Sequence, residues 1–185
     1  SYAQAAAMAM GRAMDDVIIT AASATAFTGE TGATSTAAQT AIAAGGAGLT
    51  IAKLRTAKQT FDLASVDPSI PRHIVVGPEQ ITNLLSTTEV TSSDFNTVKA
   101  LVQGEIDSFL GFKFTVSNRL AKSGNDRTCI AFAQDGITLA IGKDVSARID
   151  ERADKSYATQ VYYCQSIGAT RMEEAKVLGI VCQEA

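Results

Sequence analysis

The spacing of apolar residues changes near Gly111, and this change constrains the fold more than any other feature of the sequence. Before Gly111, apolar residues recur every three to four positions, which is the period of an amphipathic helix. From Phe112 to Val116 apolar and polar residues alternate, which is the period of a strand with one buried face. Further strands are predicted at residues 128–133, 137–141, 145–149, 157–168 and 177–182. Early helices followed by mainly antiparallel strands predict an α+β fold.

The first 48 residues predict one long helix followed by a long loop. Ala, Met, Val and Ile recur at helical spacing over residues 3–22, so this helix should lie against a sheet through a narrow face of small side chains. Residues 23–48 have no sustained period and contain five glycines. A loop of this length commonly has a function, and we expect it to dock onto a neighbour.

A shorter helix is predicted over residues 51–64. Thr50 is its candidate N-cap, because a threonine hydroxyl can accept a hydrogen bond from the first helical turn. The apolar face carries Ile51, Leu54, Phe61 and Ala64, and the polar face carries Lys53, Arg55 and Lys58. We therefore expect Lys53 to face away from the core.

A strand that leads directly into a helix follows. Residues 73–76 form a short buried-strand pattern, and Pro78 is a residue favoured at the first position of a helix. A further helix is predicted to be capped by Ser93 and to end at Gly104. The Asp-Gly pair at residues 135–136 lies between two strand patterns and predicts a β-hairpin.

Charge and cysteine content exclude several functional classes. Sixteen Lys and Arg against nineteen Asp and Glu give a net charge of −3, so the chain lacks the basic surface of a nucleic-acid-binding protein. The cysteines Cys129, Cys164 and Cys182 form no C-x-x-C pair, and there is one histidine. Zinc, iron–sulfur and disulfide-scaffold classes are therefore excluded, a reducing compartment is favoured, and buried thiols are expected. No membrane segment is predicted, and the start at Ser1 predicts a fragment or a processed product.

No arrangement of residues predicts a catalytic, cofactor-binding or metal site. The glycines at 45, 46 and 48 precede a helix but lack the Lys-Ser/Thr of a phosphate-binding loop, so a linker is favoured. Adjacent carboxylates at 15–16 and 173–174 point away from each other, so neither pair forms an acid/base dyad. His73, at the start of an apolar strand, is favoured as a structural residue. The alternative is a small-ligand-binding α+β domain or enzyme in which His73 and the glycine loop form the site.

The segment from Arg148 to Lys155 is the most charged part of the chain, with three basic and three acidic residues among eight. Two interpretations stay open. The segment is either a solvated connection or a polar interface that fixes the register between subunits.

Several segments together resemble the major capsid proteins of tailed bacteriophages, particularly short-tailed podoviruses. The most specific is the run ADKSYATQVYY at 153–163, which continues through IGATRMEE at 167–174 to Lys176-Val177. Similar segments are LTIAKLR at 49–55, EVTSSDFNTVKALVQGEID at 89–107, FLGFKF at 109–114 and SNRL at 117–120. These motifs are architectural and identify a family without identifying a site.

The resemblance implies the tailed-phage capsid fold, with a peripheral domain and an axial domain. Residues 1–48 would hold the spine helix and loop of the peripheral domain, 49–152 the axial domain, and 153–185 the long strand of the peripheral domain and a final strand. The spine helix at 3–22 would pack on the long strand at 157–168. The family's N-terminal arm and extended loop would precede this helix.

The resemblance also implies a structural, non-enzymatic role without cofactors. The subunit would self-assemble into pentamers and hexamers of an icosahedral shell that encloses double-stranded DNA without binding it specifically. Its partners would be copies of itself and also scaffold, portal or decoration proteins, with no membrane. The shell would be assembled in the bacterial cytoplasm, from a phage or a prophage, and the chain would be part of the virion.

Overall fold

The computed structural model describes residues 2–36, 41–86 and 108–184. The helices are α1 (Tyr2–Ser23), α2 (Ile51–Leu63) and α3 (Pro78–Ser86). The first strands are β1 (Ala26–Thr28), β2 (Thr34–Thr36), β3 (Arg72–Val76), β4 (Ser108–Phe109) and β5 (Phe112–Val116). The later strands are β6 (Lys122–Ser123), β7 (Asp126–Ala133), β8 (Ile137–Arg152), β9 (Ala158–Arg171) and β10 (Val177–Gln183). Single 3-10 turns occupy Ala153–Lys155 and Glu174–Lys176. The helix predicted from Ser93 to Gly104 lies outside the described residues.

A six-stranded sheet holds the core. Its strand order is β10-β7-β3-β5-β4, with β6 paired to one end of β7. β3 and β5 are parallel, and the other pairs are antiparallel. The largest fully buried apolar side chains come from α2, α3 and this sheet and include Leu54, Phe61, Ile74, Leu84, Phe112 and Ile180. The helices before Gly111 and the alternating strands after it confirm the predicted α+β class.

The strands β8 and β9 form a separate two-stranded antiparallel sheet, which we call the ribbon. Its register runs from Ile137 opposite Arg171 to Arg152 opposite Ala158, with irregular pairing between Ile141 and Ser146. The two strands predicted at 137–141 and 145–149 are therefore one strand. Residue 152, where the sequence predicts a domain boundary, lies at the tip of the ribbon.

Helix α1 lies along the ribbon on the β9 side. The Tyr163 hydroxyl donates to the Ala3 carbonyl over 3.5 Å, and the Gln165 Nε2 donates to the Met10 carbonyl over 3.4 Å. The predicted long helix and its packing on this strand are confirmed.

The hairpin predicted at residues 135–136 is wrong. The turn itself forms, since the Gly136 amide donates to the Ala133 carbonyl over 2.8 Å. The strands on either side diverge, because β7 pairs with β3, β6 and β10 while β8 pairs with β9. The turn leads the chain from the six-stranded sheet into the ribbon, and a dipeptide pattern cannot report which strands a turn connects.

The loop predicted at 23–48 is only partly correct. β1 and β2 form a small antiparallel pair within it, and Gly29 and Gly32 in the intervening turn have positive φ. Ile42 bridges to Ile180 in parallel and donates to the Gly179 carbonyl over 2.8 Å. This contact covers part of the outer edge of β10. Strands of three residues are too short to give a recognisable hydrophobic period.

The start of α2 is confirmed, but the expected position of Lys53 is wrong. The Lys53 amide donates to the Thr50 hydroxyl over 3.3 Å, so Thr50 is the N-cap. The Lys53 side chain is buried, and its ammonium donates to the carbonyls of Ala47, Gly48 and Val181 over 2.7, 2.9 and 3.0 Å. Ala64 is the exposed C-cap and does not belong to the apolar face.

Candidate functional site

The ribbon has one apolar face and one polar face. Tyr163 and Gln165 contact α1, so side chains in phase with them project towards the helix. The helix-side face also carries Leu139, Ile141, Ile149, Val161 and Ile167, and at its tip the polar pair Glu151 and Thr159. The opposite face carries Arg148, Asp150, Arg152, Ala158, Gln160, Tyr162 and Cys164.

The apolar face continues beyond the part that α1 covers. Ile149 and Val161 lie directly opposite each other and remain 67% and 40% exposed. Ile141 on the same face is also exposed, as is Met8 of the helix. A two-stranded ribbon is marginally stable alone in water, and contiguous exposed apolar side chains commonly mark an interaction surface. The tip half of the ribbon therefore has the chemistry of a surface that another polypeptide covers.

The tip itself is charged. Arg152 pairs with Asp154, and its Nε lies 2.9 Å from the Asp154 Oδ1. Hydrogen bonding to this guanidinium lowers the pKa of the Asp154 carboxyl. Within the described residues Arg148, Asp150 and Lys155 form no ion pair, although all are exposed. The predicted charged segment is thus a solvent-facing end of the ribbon, which leaves both interpretations of it open.

A buried arginine fixes the other end of the ribbon. The Arg171 guanidinium donates to the carbonyls of Ala22 and Ala24 at the end of α1, over 3.0 and 2.7 Å. It also donates to the Thr36 carbonyl of β2 over 3.1 Å and pairs with Glu174. One side chain therefore joins the ribbon, the end of α1 and the small β1–β2 pair. The sequence analysis did not single out Arg171, because no local pattern distinguishes it from a surface arginine.

The polar network around Glu184 joins the C-terminal end of the chain to the six-stranded sheet. Its carboxylate is buried and binds Arg127, Lys122 and Gln80. These hydrogen bonds, with the largest contribution from Arg127, lower the pKa of Glu184 to about 2. The network satisfies a buried charge from several elements and has the geometry of a structural anchor.

The glycine loop and His73 occupy different environments. The groove beside the loop is lined by Gly46, Gly48, Glu79, Asn83, Asn125, Gln183 and Glu184. The carbonyls of Ala47 and Gly48 point to the Lys53 ammonium, whereas a phosphate site needs converging amide donors. His73 instead stacks on Phe132 with ring centroids 5.6 Å apart, and burial, followed by the nearby Lys113 charge, lowers its pKa.

The cysteines differ in their surroundings. Cys129 and Cys182 are fully buried on neighbouring strands, and their mutual hydrogen bond raises the pKa of Cys129. Cys164 is half-buried on the polar face of the ribbon, where its sulfur lies 2.9 Å from the Ser146 hydroxyl. Hydrogen bonds from Ser146 and Lys143 lower the pKa of Cys164.

Over residues 2–36, 41–86 and 108–184, no group of three or more His, Cys, Asp or Glu side chains is placed to hold a metal ion. Within the same ranges no helix has the length and hydropathy needed to cross a membrane.

The profile of the family described as phage capsid protein matches residues 1–184 of this chain. The chain belongs to this family. No match was found among curated protein sequences.

Solved structures show the same fold. A chain from Mycobacterium phage Che8 superimposes with a TM-score of 0.68 at 21% identity, covering 97% of this capsid protein and 61% of the Che8 chain. The capsid structure of cyanophage P-SCSP1u gives a TM-score of 0.65 at 16% identity, covering 98% of this chain and 66% of the cyanophage chain. The capsid of Ralstonia phage GP4 gives a TM-score of 0.66 at 10% identity, covering 92% of this chain and 63% of the GP4 chain. The chain thus spans less than two thirds of the length of these proteins. Its mixed helix-and-sheet architecture is the tailed-phage capsid fold expected from the sequence.

Proposed function

We propose that this chain is a structural subunit of an icosahedral bacteriophage shell that self-assembles into pentamers and hexamers. The shell encloses double-stranded DNA without sequence-specific binding and is assembled in the bacterial cytoplasm. The observation that carries the proposal is the ribbon, whose apolar face extends past α1 and leaves Ile149 and Val161 exposed. In an isolated subunit these apolar side chains stay exposed to water, whereas in a lattice of copies neighbouring subunits bury them.

The two sheets support a division into two domains. We propose that the six-stranded sheet with α2 and α3 is the axial domain, and that α1 with the ribbon is the peripheral domain. Because β8 pairs within the ribbon, the boundary in this proposal lies near residue 136 and not at residue 152. The final strand β10 returns to the axial sheet, where it pairs with β7.

The partners in this proposal are primarily other copies of the chain. Scaffold, portal and decoration proteins are further partners that a shell of this kind uses. The net charge of −3 favours enclosing DNA without trapping it on the subunit surface. The specific relation to short-tailed phages, and an origin from a prophage, stay predictions.

Expression of the full-length protein in bacteria, followed by electron microscopy, tests the proposal. We expect closed shells from the natural sequence and from Ile149→Val, and no shells from Ile149→Asp. Because Ile149 is exposed, the aspartate variant should melt at the natural temperature, so that loss of shells reports on assembly and not on folding. If Ile149→Asp forms shells as well as the natural sequence does, the ribbon is not part of the assembly surface. Absence of particles from the natural sequence would contradict the proposed function.

A further inference from the structure

The turn between β5 and β6, residues 117–121, is anchored on both sides but exposed in its middle. Its first residue is tied to the sheet, because the Ser117 amide donates to a carbonyl of β3 over 2.8 Å. Leu120 is buried in the core. Asn118 and Arg119 lie between these two anchors and are exposed, so their placement depends on the side-chain bonds that they make with neighbouring elements.

On one side the turn binds α1. The Arg119 guanidinium donates two hydrogen bonds to the Asp16 carboxylate, of which the one from Nε to Oδ1 measures 2.7 Å. Hydrogen bonding from Arg119 is the largest influence on the pKa of Asp16 and lowers it, and the neighbouring Asp15 also attracts Arg119. The paired side chains are 41% and 46% exposed, so the ion pair is weak and depends on how well the turn positions Arg119.

On the other side the turn binds the buried network around Glu184. Arg127 donates from Nη1 to the side-chain oxygen of Asn118 over 3.2 Å and to the Asn118 carbonyl over 3.4 Å. The same guanidinium donates from Nε and Nη2 to the two carboxylate oxygens of Glu184. Because a guanidinium is planar, this two-point contact with Glu184 fixes the direction in which Nη1 points at Asn118.

We propose that the β5–β6 turn couples α1 to the Glu184 network, so that the pairing of Asp16 with Arg119 depends on Glu184. The coupling runs through Arg127 and Asn118. The turn is the element that both sides bias, since Arg127 and Asp16 favour the same placement of two adjacent residues. Coupling between two sites is reciprocal, so a partner bound to α1 would change the affinity of a partner bound beside Glu184, and the converse. The inference does not depend on the proposed shell function.

The pKa of Asp16, measured by carboxyl-carbon NMR, reports directly on its pairing with Arg119. We expect Asn118→Ala to raise this pKa by about 0.3, a twofold change in proton affinity, because Arg127 no longer holds the turn. Glu184→Gln should raise the same pKa, because the guanidinium loses the carboxylate that orients it. Electrostatics through space predicts the opposite sign for Glu184→Gln, since removing a negative charge lowers the pKa of a nearby carboxyl. The sign of the shift therefore separates coupling from a general effect of charge.

A matched control and a double variant complete the experiment. Glu173→Gln neutralises an exposed glutamate that pairs with Lys176 outside the network, so the pKa of Asp16 should not rise in this control. The double variant with Asn118→Ala and Glu184→Gln closes a double-mutant cycle. Because both substitutions break the same connection, the double variant should raise the pKa of Asp16 no further than Asn118→Ala does alone.

Three results would each overturn the coupling. The first is an unchanged or lowered pKa of Asp16 in Asn118→Ala, which replaces an exposed side chain and should melt close to the natural temperature. The second is a lowered or unchanged pKa in Glu184→Gln, and the third is a pair of rises that add in the double variant. None of these results bears on shell formation, which electron microscopy of the full-length protein tests separately.

Discussion

At the residue scale, two buried cations, Lys53 and Arg171, join segments that are distant in the sequence. The Lys53 ammonium donates hydrogen bonds to three carbonyls and so holds the glycine loop against the end of β10. Arg171 bonds the carbonyls of Ala22, in the last turn of α1, and of Ala24, just after the helix. A cation that donates to several carbonyls costs little to bury, whereas its removal takes a donor from each of them. Of the carbonyls bonded to Lys53, that of Ala47 also accepts from the Gln183 amide over 3.0 Å.

The role of Lys53 gives a prediction about stability. We expect Lys53→Met to lower the free energy of unfolding by about 2 kcal/mol, because the partly buried carbonyls of Gly48 and Val181 lose this donor, while that of Ala47 keeps the Gln183 amide. Lys58→Met removes the same charge from an exposed position of the same helix and should change stability by less than about 0.5 kcal/mol. Urea unfolding followed by circular dichroism measures both. Equal effects would mean that the loop does not depend on the Lys53 ammonium.

Glu184 gives a prediction about pH. Its pKa in the folded protein is about 2, below its usual value of 4.5, so the folded state favours the carboxylate. The resulting stability is fully present above about pH 5 and is lost as the pH falls towards 2. Urea unfolding between pH 6 and pH 2 should show this loss in the natural chain and a flatter profile in Glu184→Gln. The exposed pair of Arg152 and Asp154 provides the control, because Asp154→Asn should leave the natural profile nearly unchanged. Parallel profiles for the natural chain and Glu184→Gln would contradict the anchoring role.

The connection between the two sheets is the critical point at the element scale. The chain enters the ribbon at Gly136 and leaves it through Arg171, and the Met172 amide donates to the Gly136 carbonyl over 2.9 Å. Lys176 bridges Asp135 over 2.6 Å across the same junction. The ribbon therefore leaves the six-stranded sheet through two strands that are bonded to each other, which fixes its direction.

A substitution at Gly136 tests whether the backbone of this junction can shift to accept a side chain. A Cβ at Gly136 would lie 2.8 Å from the Lys176 carbonyl oxygen and 2.9 Å from the Lys176 Cβ. We expect Gly136→Ala to lower the free energy of unfolding by about 1–3 kcal/mol through overpacking against backbone. Gly168→Ala within β9 is the matched control, because nothing lies within 4 Å of its added Cβ. A Gly136→Ala variant as stable as Gly168→Ala would show that the junction shifts freely.

Local signals predicted most elements of the fold. Thr50 and Pro78 marked two helix starts, and the alternation around Phe112 marked a strand, because caps and periodicity are properties of neighbouring residues. The pairing of strands was not accessible in the same way. The Asp-Gly turn at 135–136 carries no information about whether β8 pairs with β7 or with β9, since that choice depends on β9, which begins more than 20 positions after the turn.

At the scale of the whole molecule, the sequence indicated the family but not the ribbon surface on which the proposed assembly depends. The charged segment at 148–155 was recognised, yet its assignment to one face of a ribbon required the register with β9. The exposed apolar pair Ile149 and Val161 was not recognised, because both belong to alternating strand patterns that predict burial on one face. Partial coverage by α1 decides which part of that face is buried, and coverage is a property of the assembled tertiary structure.

The ribbon tip gives a prediction for the whole molecule. In the isolated chain its amides have a single partner strand and no covering layer among the described residues, whereas the base of β9 lies under α1. Local opening is easiest where few buried apolar contacts oppose it. We expect residues 146–150 and 159–162 to exchange their amide hydrogens at least tenfold faster than residues 128–133 of β7 in the isolated chain, as measured by mass spectrometry. In assembled shells amide exchange at the tip should slow markedly while exchange in β7 stays unchanged, because only the tip gains a covering partner. A tip that exchanges as slowly as β7 before assembly would show that the ribbon is stable without a neighbour, and the argument from its incomplete cover would fail.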